Sequence, residues 1–305
     1  MKSLLSILCV ASVYSSRPVD IRIPITLDHN ERLVASVTVP MAERSISNMV
    51  LTLHDDSVVT TNRSSGNAGP VYMLLNGSRE GSSVAHRVEG VDLAFMPQID
   101  GREDSYLGIG SGSAITQSSG SVSVLKYEDR AQLVLGSSSE LFNSSCRPGS
   151  LMTWNLTEIV SGQESLVRFS GVVMGSYRGR FILMQTRHGS RAVIPVNIFT
   201  NLINLIIQTG AVLVSSERNR IAFFRNCTRE MFETLPTVEI GFGQNQIVLL
   251  PQDYLEIDES RGTCKTRITP TLAPLVLVNP LMLVDTNVRI NDNHLIDLCD
   301  SNGYF

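Results

Sequence analysis

Short apolar–polar alternations with a period of two, the signature of half-buried strands, dominate this chain. Arg32-Leu33-Val34-Ala35-Ser36-Val37-Thr38-Val39 alternates in part and stops at Pro40. From Asn48 to Thr52 and just beyond, Met49, Leu51 and Leu53 share one face. Further strands are predicted over Ser121–Lys126, Gln132–Leu135, Leu166–Met174, Arg180–Met184, Thr237–Phe242 and Gln246–Leu250. Clusters of Gly, Ser, Asn and Asp, such as Ser64–Gly69 and Gly110–Gly120, separate them and read as loops. A single segment has helical spacing: Pro195 through Ile207, with the proline near the first turn and Ile198, Phe199, Leu202, Ile203, Leu205 and Ile206 apolar. Many short strands and few helices predict an all-β body.

Composition narrows the picture. The 305 residues suffice for one large two-lobed body or two domains, and 43% apolar with 18% charged residues is ordinary globular material. The net charge is −4, the lysines are only Lys2, Lys126 and Lys265, and no basic block occurs, which argues against a nucleic-acid partner. Lys2, the apolar run from Leu4 to Val13 and the small residues that follow predict a signal peptide over residues 1–16. The most apolar later stretch, Ile194 to Val214, is interrupted by Pro195, Asn197, Asn201 and Asn204, so no membrane span is expected. Beyond the leader lie Cys146, Cys227, Cys264 and Cys299, an even set that in a secreted chain allows three pairings of two disulfides. No Cys-x-x-Cys or His-x-x-x-His spacing points to a metal, and no cofactor is expected. Sequons begin at Asn62, Asn76, Asn143, Asn155 and Asn226, which with a leader predicts a secretory-pathway glycoprotein.

The last third adds a specific run. Cys227 leads to Leu235-Pro236-Thr237-Val238-Glu239-Ile240-Gly241-Phe242, then Leu249-Leu250-Pro251-Gln252-Asp253-Tyr254-Leu255, then Gly262-Thr263-Cys264. This resembles the C-terminal lobe of the pepsin-like aspartic proteases in spacing and cysteine placement. Leu275-Val276-Leu277-Val278-Asn279-Pro280-Leu281-Met282-Leu283 is similar to a later strand of that family, with Asn279 and Pro280 where Gly-Asp is expected. Asn291 to Leu298 resembles its closing strand. Asp104-Ser105-Tyr106-Leu107-Gly108-Ile109-Gly110, Ser121 to Leu125 and Gln132 to Gly136 resemble segments of its N-terminal lobe. The resemblance covers most of the chain after the leader, more closely after Asp104 than before. It implies two lobes about an inter-lobe cleft, residues 17–160 and 161–305, with a flap region between His54 and Asp104 that is short for the family. It also implies a Cys227–Cys264 disulfide, worth roughly 3–4 kcal/mol on a chain-entropy view. In the resembled fold the surroundings of Cys146 and Cys299 both approach the sheet joining the lobes, which leaves room for a second bridge.

No Asp-Thr-Gly or Asp-Ser-Gly triplet occurs in the chain. Aligned on the strand that carries Met49, Leu51 and Leu53, His54 takes the place of the first catalytic aspartate, with Asp55 and Asp56 beside it. For the second aspartate, counting back from Pro195 selects Thr186 and counting along the preceding strand selects Met184. Aspartic proteolysis needs two carboxylates sharing one proton, and neither Thr186 nor Met184 can take part. Ile21-Arg22-Ile23-Pro24-Ile25 looks like a first mature strand placed directly after the leader, leaving no expected room for an inhibitory prosegment. The bland readings are favoured elsewhere. Asp55 and Asp56 read as a polar turn and His54 as a turn or cleft histidine. Ser190 lacks a nucleophile elbow, and Gly108-Ile109-Gly110-Ser111-Gly112 lacks the lysine of a phosphate loop. Tyr72 and Leu75 are candidates for the flap. The expectation is a secreted pseudoprotease with a groove suited to extended peptide or protein ligands. Its competitors are an active, highly diverged aspartic endopeptidase that draws on Asp55 or Asp56, and a structural or surface glycoprotein with a filled cleft.

Overall fold

The computed structural model describes residues 20–28, 32–39, 44–55, 57–61, 66–97, 105–127, 130–155, 164–169, 172–178, 180–183, 190–216, 221–242, 245–273 and 275–302. The predicted leader lies outside them. The protein is mostly β, and its strands are described in two sets, parts of which repeat one pairing scheme.

The first set comprises β1 (Ile21–Leu27), β2 (Leu33–Val39), β3 (Arg44–Thr52), β4 (Ser57–Thr61), β5 (Gly66–Arg79), β6 (Ser82–Pro97), β7 (Tyr106–Gly108), β8 (Ser121–Lys126) and β9 (Ala131–Leu135). In it, β7 lies between β3, to which it is parallel, and β4, to which it is antiparallel; β4 in turn runs parallel to β6. The second set opens with β10 (Met152–Asn155), β11 (Glu164–Phe169), β12 (Val172–Arg178), β13 (Arg180–Leu183) and β14 (Ala192–Pro195). It continues through β15 (Val212–Ser216), β16 (Ala222–Arg225), β17 (Val238–Phe242), β18 (Asn245–Leu249), β19 (Leu255–Asp258) and β20 (Thr263–Thr266). It ends with β21 (Ile268–Thr271), β22 (Leu275–Val278), β23 (Thr286–Asn291) and β24 (Leu295–Asp300). Here β22 lies between a parallel β13 and an antiparallel β14, and β14 runs parallel to β21. The two four-strand arrangements match in order and direction.

The outer strands match as well. β1 pairs with β9 and β9 with β8; β10 pairs with β24 and β24 with β23. The two triplets join where β8 meets β23 antiparallel, Val124 opposite Val288 and Val122 opposite Ile290. All six residues of β8 are buried, as are the four central residues of β23. One apolar cluster runs from Ile21 and Leu51 through Val122 and Val124 to Val288, Ile290 and Leu298, so both sets share a core.

Local chemistry explains several element ends. Helix α1 (Ala114–Ser119) lies inside the stretch read as a Gly/Ser loop. Ser113 caps it by accepting from the Thr116 N–H at 3.2 Å, and Gly120 ends it at φ 77°, a left-handed value that glycine adopts freely. The strand predicted over Leu166–Met174 is instead the hairpin β11–β12. Between the sequence-predicted strands stands an unforeseen long hairpin, β5–β6, whose two-residue turn Glu80–Gly81 has positive φ at both positions. Helix α2 (Ser139–Ser144) follows β9, with Ser138 accepting from the Leu141 N–H at 3.1 Å. Helix α3 (Val196–Gln208) matches its prediction within one residue at each end; Pro195 is its N-cap, and Ile198, Phe199, Leu202, Ile203 and Ile206 are buried. Short helices α4 (Met231–Thr234) and α5 (Pro251–Tyr254) flank β17 and β18. The Tyr254 hydroxyl donates to the Pro236 carbonyl at 2.6 Å, tying the Leu235-Pro236 pair to the Pro-x-x-Tyr turn.

Both disulfides form, Cys227–Cys264 across 37 residues and Cys146–Cys299 across 153. Such bonds persist in oxidising compartments. Among the described residues no helix is long and apolar enough to cross a membrane. The longer bridge closes a loop around nearly the whole second set, so its removal releases the most chain entropy. The pair Cys146→Ser and Cys299→Ser is expected to lower unfolding free energy by about 2–5 kcal/mol, read by denaturant titration of the oxidised proteins.

Candidate functional site

The repeat places two loops at corresponding positions: residues 53–56 between β3 and β4, and residues 184–191 between β13 and β14. These are the loops in which the resemblance puts the catalytic positions. In the first, His54 and Asp55 are exposed. Asp56 lies outside the described residues, as do Met184 and Thr186 of the second loop.

The first loop is held by the turn that follows β7. The Ile109 N–H donates to the Thr52 carbonyl at 2.9 Å, and the Gly110 N–H to the His54 carbonyl at 2.9 Å. Asp55 folds over the same turn, its Oδ1 accepting from the Gly112 N–H at 2.8 Å. The glycines are needed for this fit. A Cβ on Gly110 would sit 2.6 Å from the Leu53 carbonyl oxygen and closer still to Asp55 Oδ1, and one on Gly112 would sit 2.6 Å from Asp55 Oδ2. The Asp55 carboxylate is therefore engaged in bracing a turn. Between the two glycines, Ser111 is buried, and its Oγ lies 2.7 Å from His294 Nδ1 in the β23–β24 turn. His294 takes a positive φ of 63° there. This contact crosses from the first strand set to the second and has no signal in the sequence spacing.

The second loop rejoins described structure at Ser190 and Arg191, both buried. Arg191 donates through Nη1 to Asp253 Oδ1 at 2.9 Å, with both side chains nearly inaccessible at 4% and 2% exposure. Asp253 also accepts from the Leu250 and Val284 N–H groups, each at 2.8 Å. Burial raises the Asp253 carboxyl above its ordinary range, while Arg191 and those two N–H groups oppose the rise. The Arg191 carbonyl accepts from the Asn279 N–H at 2.9 Å, so the foot of the second loop is clamped to the end of β22. Asn279 itself turns to cap the 3-10 turn Pro280–Met282, accepting from the Leu281 N–H at 3.2 Å. The residues of this network are far apart in the chain, 62 positions between Arg191 and Asp253, and no spacing in the sequence marks them as partners.

The flap candidates separate. Leu75 is wholly buried, whereas Tyr72 is half-buried under the Arg87 guanidinium, 3.9 Å from the ring centre. A hollow of about 590 Å³ opens between Asn76–Ser78, Ser83–Ala85 and Pro24, on the hairpin rather than at the paired loops. Of the sequon asparagines, Asn76, Asn143 and Asn226 are exposed, Asn155 ends β10, and Asn62 lies outside the described residues. Among the described residues no group of three or more His, Cys, Asp or Glu is placed to hold a metal ion. Comparison with protein-family models and with curated proteins returns no match.

The packing around Gly110 gives a clear expectation. Gly110→Ala meets backbone at Leu53 and is expected to lose about 1–3 kcal/mol of stability in any background. The three atoms nearest a Cβ on Gly112 all belong to the Asp55 side chain, so the cost of Gly112→Ala is expected to fall sharply when combined with Asp55→Ala, as a double-mutant cycle by thermal unfolding would show.

Proposed function

We propose that this chain is a two-lobed, pepsin-like body that has lost aspartic proteolysis and binds extended peptide or protein segments between its lobes. The observation that carries the reading is the repeated strand scheme. Each set threads one strand between a parallel and an antiparallel neighbour, and each presents a loop at the same place in that scheme. Two related lobes facing each other would put those loops at the floor of a shared groove. A pair of acids is needed there for hydrolysis, since one carboxylate must activate water while the other carries the proton. Instead, the first loop offers an exposed His54, and the Asp55 carboxylate beside it is turned onto the Gly112 N–H. The sequence from Met184 to Gly189 contains no Asp or Glu. A groove of this kind would hold a strand-like segment by backbone pairing without cutting it. Two disulfides, exposed sequon asparagines and the leader-like N-terminus support a route through the secretory pathway.

The test is cleavage of an unfolded protein at acid pH, with and without a transition-state analogue of aspartic proteolysis. The expected result is no analogue-sensitive cleavage by the purified glycoprotein, together with saturable binding of unfolded polypeptide. Analogue-sensitive cleavage that disappears in Asp55→Asn or Asp56→Asn would establish an active enzyme instead.

A further inference from the structure

We infer that Lys126, the Leu283–Val284 peptide and the Asp253–Arg191 pair form a pH-sensitive joint between the two strand sets. The inference is independent of the proposed function. Lys126 ends β8, the strand through which the first set is hydrogen-bonded to the second. Three segments of the second set grip it. Its N–H donates to Asn287 Oδ1 at 2.7 Å, and its carbonyl accepts from Ser301 Oγ at 2.7 Å. Its Nζ donates to the Leu283 carbonyl and, at 3.4 Å, to that of Pro280.

The Leu283–Val284 peptide group is thereby held at both ends. Its carbonyl takes the Lys126 amine, while its N–H donates to Asp253 Oδ1 at 2.8 Å, the same oxygen that accepts from Arg191. One rigid peptide plane thus links the end of β8 to the residue at the foot of the 184–191 loop.

The proton on Lys126 decides how well this joint fits. A neutral amine has two N–H groups for two carbonyls. An ammonium brings a third N–H and a full charge into a buried space that already holds the Arg191 guanidinium. The charged groups acting on Lys126 are Asp253 on α5, Arg191 ahead of β14 and Asp285 ahead of β23. Burial lowers the Lys126 pKa from its ordinary 10.5 to about 7, with Arg191 acting in the same direction and Asp253 and Asp285 opposing. The folded protein therefore changes the charge of this joint near neutrality, neutral and well fitted above, charged and loosened below.

The thermodynamic sign follows. Between about pH 7 and pH 10.5 the unfolded chain binds one more proton at Lys126 than the folded chain, so stability rises with pH across that window. Below it both states carry the proton and this contribution is flat. The four cysteines beyond the leader are disulfide-bonded and do not titrate; burial raises the Tyr127 and Tyr254 phenols, so they oppose the rise only where the unfolded chain's phenols begin to ionise, at about pH 10 near the top of the window.

Denaturant titration of the intact, oxidised protein between about pH 7 and pH 10 reads the effect. The folding equilibrium constant is expected to rise by up to about tenfold per pH unit, and Lys126→Met is expected to remove that one-proton slope. A variant that keeps the wild-type slope overturns the assignment. Should Lys126→Met fail to fold, wild-type hydrogen exchange decides. The protection of the Val284 amide, corrected for intrinsic rate, is expected to fall on going from about pH 8 to about pH 6 by more than that of the Ile206 amide of α3, which follows global stability. A fall at Val284 no larger than that at Ile206 overturns the joint.

Discussion

The ladder between β8 and β23 is the constraint on which the rest of the architecture depends. Both strands are buried along their centres, and backbone N–H and C=O groups in such a place must find partners. Each strand supplies the other's partners, Val122 to Ile290 and Val124 to Val288. Separating the two sets would strand polar backbone in an apolar interior and expose the valines and isoleucines that face the shared core. The joint at Lys126, the Ser111–His294 contact and the Cys146–Cys299 bond all lie across this same seam. The seam is thus held by backbone pairing, apolar burial, buried polar contacts and a covalent bond.

Much of the strand content was legible because it is written in short-range chemistry. Ser121–Lys126 reads as a strand from its β-branched alternation, and the structure returns the same bounds. The Pro195 helix was legible because its apolar residues recur at helical spacing beyond a proline that fits a helix start. The Glu80–Gly81 turn is hard to read in the sequence because the segments on either side of it alternate weakly. Only the two left-handed residues at its tip mark it. Helix α1 was hidden for the opposite reason: Ser and Gly, which read as loop formers, here act as caps at its two ends. Segment Leu166–Met174 shows the limit of periodicity, since an apolar run does not reveal where it folds back on itself.

The candidate site was less legible because its chemistry depends on distant partners. His54 and Asp55 could be singled out from the strand that precedes them. That Asp55 braces Gly112 could not, since 57 residues separate the two. The same holds for Arg191 and Asp253, which become a buried pair only when the second set closes. A buried pair of this kind is weak evidence of extra stability, because desolvation offsets much of the attraction. Its better-supported role is to fix where the foot of the second loop sits, through the N–H groups of Val284 and Leu250 and the carbonyl taken by Asn279.

The Cys146–Cys299 bond has a topological meaning as well as an energetic one. It encircles a 153-residue span that includes β11 through β23. A single cut of the main chain anywhere within that span leaves both fragments on one molecule until a reductant opens the ring. In an extracellular setting rich in proteases, a nicked copy would keep its mass and much of its shape, and damage would stay hidden from any size-based inspection made under oxidising conditions.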